Sequence, residues 1–217
     1  MNILRILATG VAMVLAGGCM LVPEEYQPTT YYDLKTAPAT ESREPVTGYT
    51  SLAIGRFQTL GPYQTRMVYQ KSPHHLVRDE YNRWILPPDE LVAREYYRNL
   101  AAAGMFKRVH PVMHNDADLV LRGVILRLEA TPDLKAAVTV VIRIEERGKN
   151  GNLVLVSERY SETQPIQSTD PEAFASASST ALSRIIARTL RDLTRAAQNA
   201  DPGVQAGTET NSATSRE

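Results

Sequence analysis

Asp118-Leu119-Val120-Leu121-Arg122-Gly123-Val124-Ile125-Leu126-Arg127-Leu128-Glu129 decides the fold. Its apolar residues fall on both alternating sets: Val120, Val124, Leu126 and Leu128 on one, Leu119, Leu121 and Ile125 on the other. Strand side chains point alternately to opposite faces, so a strand apolar on both is expected to sit centrally in a sheet. The residues after it supply its neighbours. Val138, Val140, Ile142 and Ile144 alternate with Thr139, Val141, Arg143 and Glu145, giving one buried face and one mixed face. Gly148-Lys149-Asn150-Gly151 has turn chemistry and joins this strand to residues 153–160 as a hairpin.

Two helices flank this block. Asp170 is suited to an N-cap and Pro171 to the first helical position. Phe174, Leu182, Ile185, Ile186, Thr189 and Leu193 then form one stripe, with Arg184, Arg188, Arg191 and Arg195 mostly outside it. Upstream, Pro87-Pro88-Asp89-Glu90 opens a helix carrying Val92, Tyr96, Leu100 and Ala103 at helical spacing, and Gly104 stops it. Shorter strands are expected at 31–34, 52–57, 66–69, 75–78 and 106–109. Two amphipathic helices against one largely antiparallel mixed sheet make an α/β sandwich.

The start of the chain has a different character. Arg5 and the amino terminus precede an apolar run, and residues 6–18 carry no charge. Thirteen residues fall short of the ~20 a helix needs to cross a bilayer, so residues 1–18 are expected to be a secretory signal peptide. It ends in Leu15-Ala16-Gly17-Gly18-Cys19, and Cys19 is the only cysteine. The arrangement is similar to the lipobox of bacterial lipoproteins, although Leu15 stands one step earlier than usual, with Ala16 in its place. That resemblance implies that Cys19 carries the lipid. Several acyl chains, at ~0.8 kcal/mol per buried methylene, would make membrane attachment lasting. Met20, not Asp, follows the cysteine, which by resemblance to the sorting rule of enteric bacteria favours the outer membrane. The alternative is an ordinary secreted protein with one unpaired thiol, an odd thing to leave in an oxidising compartment.

Residues 19–48 are rich in Pro, Thr, Glu and Ser and read as an extended tether with a short strand near 31–34. The body is expected over 49–197. Residues 198–217, with almost no large apolar side chain, are expected to be a disordered tail. Removing residues 1–18 leaves 23 basic against 24 acidic side chains. A near-zero balance argues against nucleic acid as a partner, whose footprint is a strong basic excess.

Few constellations carry chemistry. His110 and His114 are four apart with Asp116 close by, but Pro111 and the flanking strands place them in a loop, and a solvated loop is the better reading than a zinc site. His74-His75 lies in a turn beside Pro73 and is discounted in the same way. There is no Gly-x-Ser-x-Gly elbow and no Gly-rich phosphate loop. No enzyme, metal or cofactor is expected. Trp84, with Tyr63, Tyr69 and Tyr81 upstream of it, is the candidate partner interface, because Trp, Tyr and Arg bring large contact area with a polar handle. The competing reading makes Trp84 a core residue that staples the entry of the following helix.

Several elements together carry a family resemblance: Cys19, Tyr31-Tyr32-Asp33-Leu34, the strand at 52–57, and Trp84 and Pro87 before the helix. They continue with Phe106 and Val109, Ala117-Asp118-Leu119-Val120-Leu121, the hairpin and the closing Ala/Leu/Ile helix. The chain resembles the ABC-type transport auxiliary lipoproteins, the family that includes the paraquat-inducible protein C. It departs from that pattern between 61 and 83, where Tyr63-Gln64-Thr65-Arg66-Met67 and Ser72-Pro73-His74-His75 stand in place of an Arg-Pro pair and a Gly-Asn turn. The resemblance implies a fold like the N-terminal domain of TolB. It also implies a non-catalytic subunit of a phospholipid transport system, at the periplasmic face of the outer membrane. There it would dock a substrate-binding protein with an MCE domain that reaches across the periplasm. A homo-oligomer is compatible with this role, since several copies around one partner multiply weak contacts. Two alternatives stay open: an envelope scaffold or outer-membrane assembly lipoprotein, and a periplasmic lipid-binding carrier.

Overall fold

The computed structural model describes residues 26–38, 45–148 and 151–200. Among them are eight strands and two helices: β1 (Thr30–Tyr32), β2 (Ser51–Thr59), β3 (Arg66–Ser72), β4 (His75–Trp84), α1 (Pro88–Ala103), β5 (Arg108–His110), β6 (Leu119–Ala130), β7 (Lys135–Gly148), β8 (Gly151–Pro165) and α2 (Pro171–Ala200). The signal segment 1–18, Cys19 and residues 201–217 of the tail lie outside the described residues.

β6 is the centre of one mixed sheet, as its two apolar faces require. β7 pairs antiparallel along its whole length. The other edge of β6 is shared by two parallel neighbours, β2 opposite its first half and β3 at Ala130. β5 lies outside β2, β4 outside β3 and β1 outside β4, while β8 completes the long hairpin with β7. One detail breaks simple alternation. The register shifts between Ile125 and Arg127, and Leu128 pairs with Val138 just as Ile125 pairs with Val140. The bulge therefore moves Leu128 to the face of Leu119, Leu121 and Ile125.

Both helices cover that face. On α1, Leu91, Val92, Tyr96, Leu100 and Ala103 are buried, and Gly104 ends the helix at φ 66°, a conformation glycine adopts without a Cβ penalty. On α2, Asp170 accepts the N–H of Glu172 at 2.9 Å as the sequence anticipates, and Phe174, Leu182, Ile185, Ile186, Leu190 and Leu193 enter the core. Phe57 reaches from β2 to Tyr96, its ring lying over Gly123, where any Cβ would collide with it. The uncovered face of the sheet is tied by charge. Glu145 bridges Arg122 and Arg143, Arg127 binds Glu129, and the hydroxyls of Thr139 and Ser161 meet across β7 and β8.

Part of the stretch read as a tether belongs to the body. β1 spans Thr30–Tyr32, and the chain beyond it enters the interior: Leu34 and Thr36 are buried. Lys35 N–H and Ala37 N–H donate to the hydroxyls of Ser179 and Ser183 on α2, while Arg94 on α1 binds Asp33 and the carbonyl of Leu34. Residues 30–37 thus lie across both helices. Ten residues, 20–29, separate Cys19 from β1 in the sequence.

Candidate functional site

The four aromatics singled out from sequence do not form one surface. Trp84 closes β4 and is 1% exposed, packed against Phe174 of α2 with ring centroids 5.7 Å apart. A side chain so enclosed has no area to offer a partner, so its structural role is the core staple. Tyr63 is buried as well, on the opposite face, where its hydroxyl donates to Glu129 at 2.5 Å. Burial, then that carboxylate, push its phenol well above the usual tyrosine range. Tyr69 is half-buried beside Phe174, and Tyr81 is half-buried on β4, where its N–H donates to Asp79. Of the four, Trp84 and Tyr63 are thus buried, and Tyr69 and Tyr81 keep part of their surface exposed.

Some of the exposed apolar residues lie at the two ends of the sheet, while Tyr26, Tyr31, Leu60, Ile85 and Leu86 are exposed elsewhere. At one end, β6 begins, β7 ends and the β5–β6 loop crosses. Val112 is 69% exposed, Met113 45%, and Leu153 and Val154, near the start of β8, 54% and 37%. The loop is fastened to the sheet: Arg147 of β7 donates to the carbonyl of His114, and its own N–H donates to the carbonyl of Asp118. Glu146, next to Arg147, pairs with Leu153 in the sheet and accepts the hydroxyl of Tyr49 at 2.9 Å. Burial, then the Glu146 carboxylate, push the Tyr49 phenol up to about 12. At the base of the loop Asp118 accepts the backbone N–H and hydroxyl of both Thr50 and Ser51, between 2.8 and 3.0 Å. Burial works against its charge, but these four bonds outweigh it and hold the carboxyl below its ordinary value. Val112 and Met113 thus stand exposed on a loop that the sheet holds in place, while Leu153 and Val154, consecutive on β8, point to opposite faces of the sheet beside it.

His110 and His114 stack in that loop with centroids 4.0 Å apart. Among the described residues no three His, Cys, Asp or Glu side chains converge as a metal site would require.

At the other end, β3 and β4 form a hairpin whose turn projects beyond Ala130, the last residue of β6. Beside it a cavity of about 340 Å³ opens between β3, the β6–β7 turn and the start of α2. Tyr69, Leu134, Ile166 and Phe174 give it apolar walls, and Lys71 and Asp170 stand in its lining. A broader groove of about 750 Å³ follows residues 31–37 along α2 and is lined by Tyr31, Lys35, Ser176, Thr180 and Arg184. Two separated contact ends on a rigid sheet suit binding.

Sequence reasoning missed Val112, Met113, Leu153 and Val154 because isolated apolar residues in loops and strand ends carry no periodic signal. Exposure is what distinguishes them, and exposure is a tertiary property.

Comparison with known proteins gives this arrangement a family. The fold is that of protein XCC0632 from Xanthomonas campestris, with a TM-score of 0.70 over 79% of this chain and 98% of that one at 16% identity. A second crystal structure, of an uncharacterised protein, matches at a TM-score of 0.63 over 77% of this chain and 99% of the other, at 12% identity. No curated protein is similar enough in sequence to match. Residues 32–189 match the family model of the ABC-type transport auxiliary lipoprotein component, and that span runs from β1 through most of α2. The chain belongs to the ABC-type transport auxiliary lipoprotein family.

Proposed function

We propose that this protein is a non-catalytic lipoprotein subunit of an MCE-type ABC phospholipid transport system. It would be held at the periplasmic face of the outer membrane through Cys19 and dock the periplasm-spanning MCE component by binding alone. The observation that carries this reading is the family match across residues 32–189, nearly the whole described body. The leader ending at Cys19, with Met20 after it, supports the anchor and its membrane. The exposed apolar set of Val112, Met113, Leu153 and Val154 supports a docking role, since it supplies a contact surface on a loop braced by Arg147 and Asp118.

The carrier alternative draws less support. The cavity by Tyr69 and Phe174, about 340 Å³, is tight for a two-chain lipid, and the broader groove of about 750 Å³ is lined along α2 by Ser176, Thr180, Ser183 and Arg184, not by the large apolar side chains a lipid cavity needs.

The anchor is tested by Cys19→Ser. The variant should leave the membrane fraction on a carbonate wash while the parent protein stays. Retention of the variant would remove Cys19 as the lipid site. Docking is tested by capture of the MCE component from detergent-solubilised membranes, with the Cys19 parent as bait.

A further inference from the structure

The direction in which the chain enters the sheet is informative. β1 runs parallel to β4, with Thr30 opposite Asn82 and Tyr32 opposite Trp84. Upstream of Thr30 the backbone therefore heads toward the start of β4, at His75, which is the tip of the β3–β4 hairpin. The span from Asn82 back to His75 is ~23 Å of strand. The span from Thr30 back to Cys19 is at most ~36–40 Å fully extended. If residues 20–29 keep this direction they reach past the hairpin tip by at most ~13–17 Å, whereas reaching the loop end would require the chain to reverse at Thr30.

The tip has the composition a lipid surface asks for. No acidic residue occurs between Glu44 and Asp79, although the whole chain balances 24 basic against 24 acidic side chains. That acid-free stretch places Lys71 and Arg78 on the two strands near the turn and His74 and His75 at it; Arg66 pairs with Arg83 at the far end of the hairpin, and Asp79 and Glu80 come next on β4. Leu76 stands 41% exposed there. Across the cavity from Lys71, Leu134 is 48% exposed in the β6–β7 turn, where the nearby Asp133 is already paired with Lys135. Cations flanking exposed apolar side chains favour an anionic bilayer surface, the charges by attraction and the side chains by entering the interface.

We propose that the tip of the β3–β4 hairpin, with Lys71 and Leu76 at its centre and Leu134 beside it, rests on the anionic phospholipid surface to which Cys19 is anchored. The loop end, with Val112 and Leu153, then faces away from the membrane, toward the periplasm. The inference rests on the anchoring of Cys19, and it adds an orientation that anchoring alone does not fix.

Because Cys19 is the only cysteine and the lipid occupies it, an introduced cysteine gives a single labelling site. The full lipidated chain carrying Leu76→Cys, Leu134→Cys or Val112→Cys is labelled with a fluorophore. It is then reconstituted into vesicles of phosphatidylethanolamine and phosphatidylglycerol whose headgroups bear a quencher. Labels at Leu76→Cys and Leu134→Cys should be quenched several-fold more than the label at Val112→Cys, and Lys71→Glu should reduce that quenching. Equal quenching at all three positions, or the strongest at Val112→Cys, with the protein still retained after a carbonate wash, overturns the orientation and leaves the anchor standing. Unchanged quenching in Lys71→Glu overturns the electrostatic contact. Release of the protein by the wash overturns the anchoring on which both rest.

Discussion

Glu95 of α1, wholly buried, accepts the backbone N–H of Thr36 at 3.0 Å and its hydroxyl at 2.7 Å. Asn99 donates to the same hydroxyl at 2.7 Å, and Arg98 binds the Glu95 carboxylate from the solvent side. A buried carboxylate is costly unless its oxygens are matched in this way. Here the match joins the segment after β1 to α1. Thr36 is thereby fastened to α1, as Lys35 and Ala37 are to α2.

Removing the carboxylate leaves Thr36 N–H buried without an acceptor. Glu95→Ala should destabilise the domain by about 3 kcal/mol. Amide exchange should rise first at Leu34–Thr36, ahead of global opening. Chemical denaturation with exchange mass spectrometry checks both, and an unchanged exchange rate at Thr36 would contradict the clamp.

Trp84 stands at the junction of β4, β1 and α2, against Phe174. Trp84→Ala empties a large, closed site and should cost about 3–5 kcal/mol, read as a lower denaturation midpoint. Partner capture by whatever fraction remains folded should be unchanged. A variant of normal stability that loses the partner would instead make Trp84 a contact residue.

At the loop end the expectation is the reverse. Val112 and Leu153 are more than half exposed, so Val112→Asp and Leu153→Asp should move stability by less than about 0.5 kcal/mol. If this surface docks the MCE component, each should weaken capture by about tenfold or more, because a charge is introduced where an apolar contact forms. Titration of the purified pair separates the two effects.

Acid should unfold the protein through the uncovered face of its sheet. The hydrogen bond from Arg143, with Arg122 behind it, holds Glu145 below the ordinary carboxylate value despite burial. A group whose folded pKa is depressed adds stability above its unfolded value, ~4.3, and loses it as pH falls through the folded one. Asp118 acts in the same sense through its bonds to Thr50 and Ser51. Stability measured across this range should decline below about pH 4, and the decline should be shallower in Glu145→Gln.

Much of this was legible from residues alone. The two-faced strand at 119–130, the 135–165 hairpin and both helices arise from periodicity, turn chemistry and capping. Long runs repeat a pattern many times, and the family-wide fold is carried by those runs. What eluded the sequence depends on single residues. The bulge after Ile125 moves Leu128 across the sheet without leaving any mark in the pattern. β4 continues to Trp84 through the polar run from Arg78 to Arg83, because its strand partners β3 and β1 complete its backbone bonding. Residues 35–37, just past the short strand expected at 31–34, look like tether until Glu95, Ser179 and Ser183 are seen to accept their N–H groups. The aromatic cluster around Trp84 misled for the converse reason: composition that suits an interface suits a core equally well.

The central claim is that this lipoprotein serves an MCE-type transporter, and crosslinking in intact cells tests it most directly. After crosslinking, the membrane-anchored protein is captured by affinity and its partners identified by mass spectrometry. The account predicts recovery of an MCE-domain protein together with its permease and ATPase, with crosslinks concentrated near Val112 and Leu153. Recovery of outer-membrane assembly factors alone, with no transporter component, would contradict it.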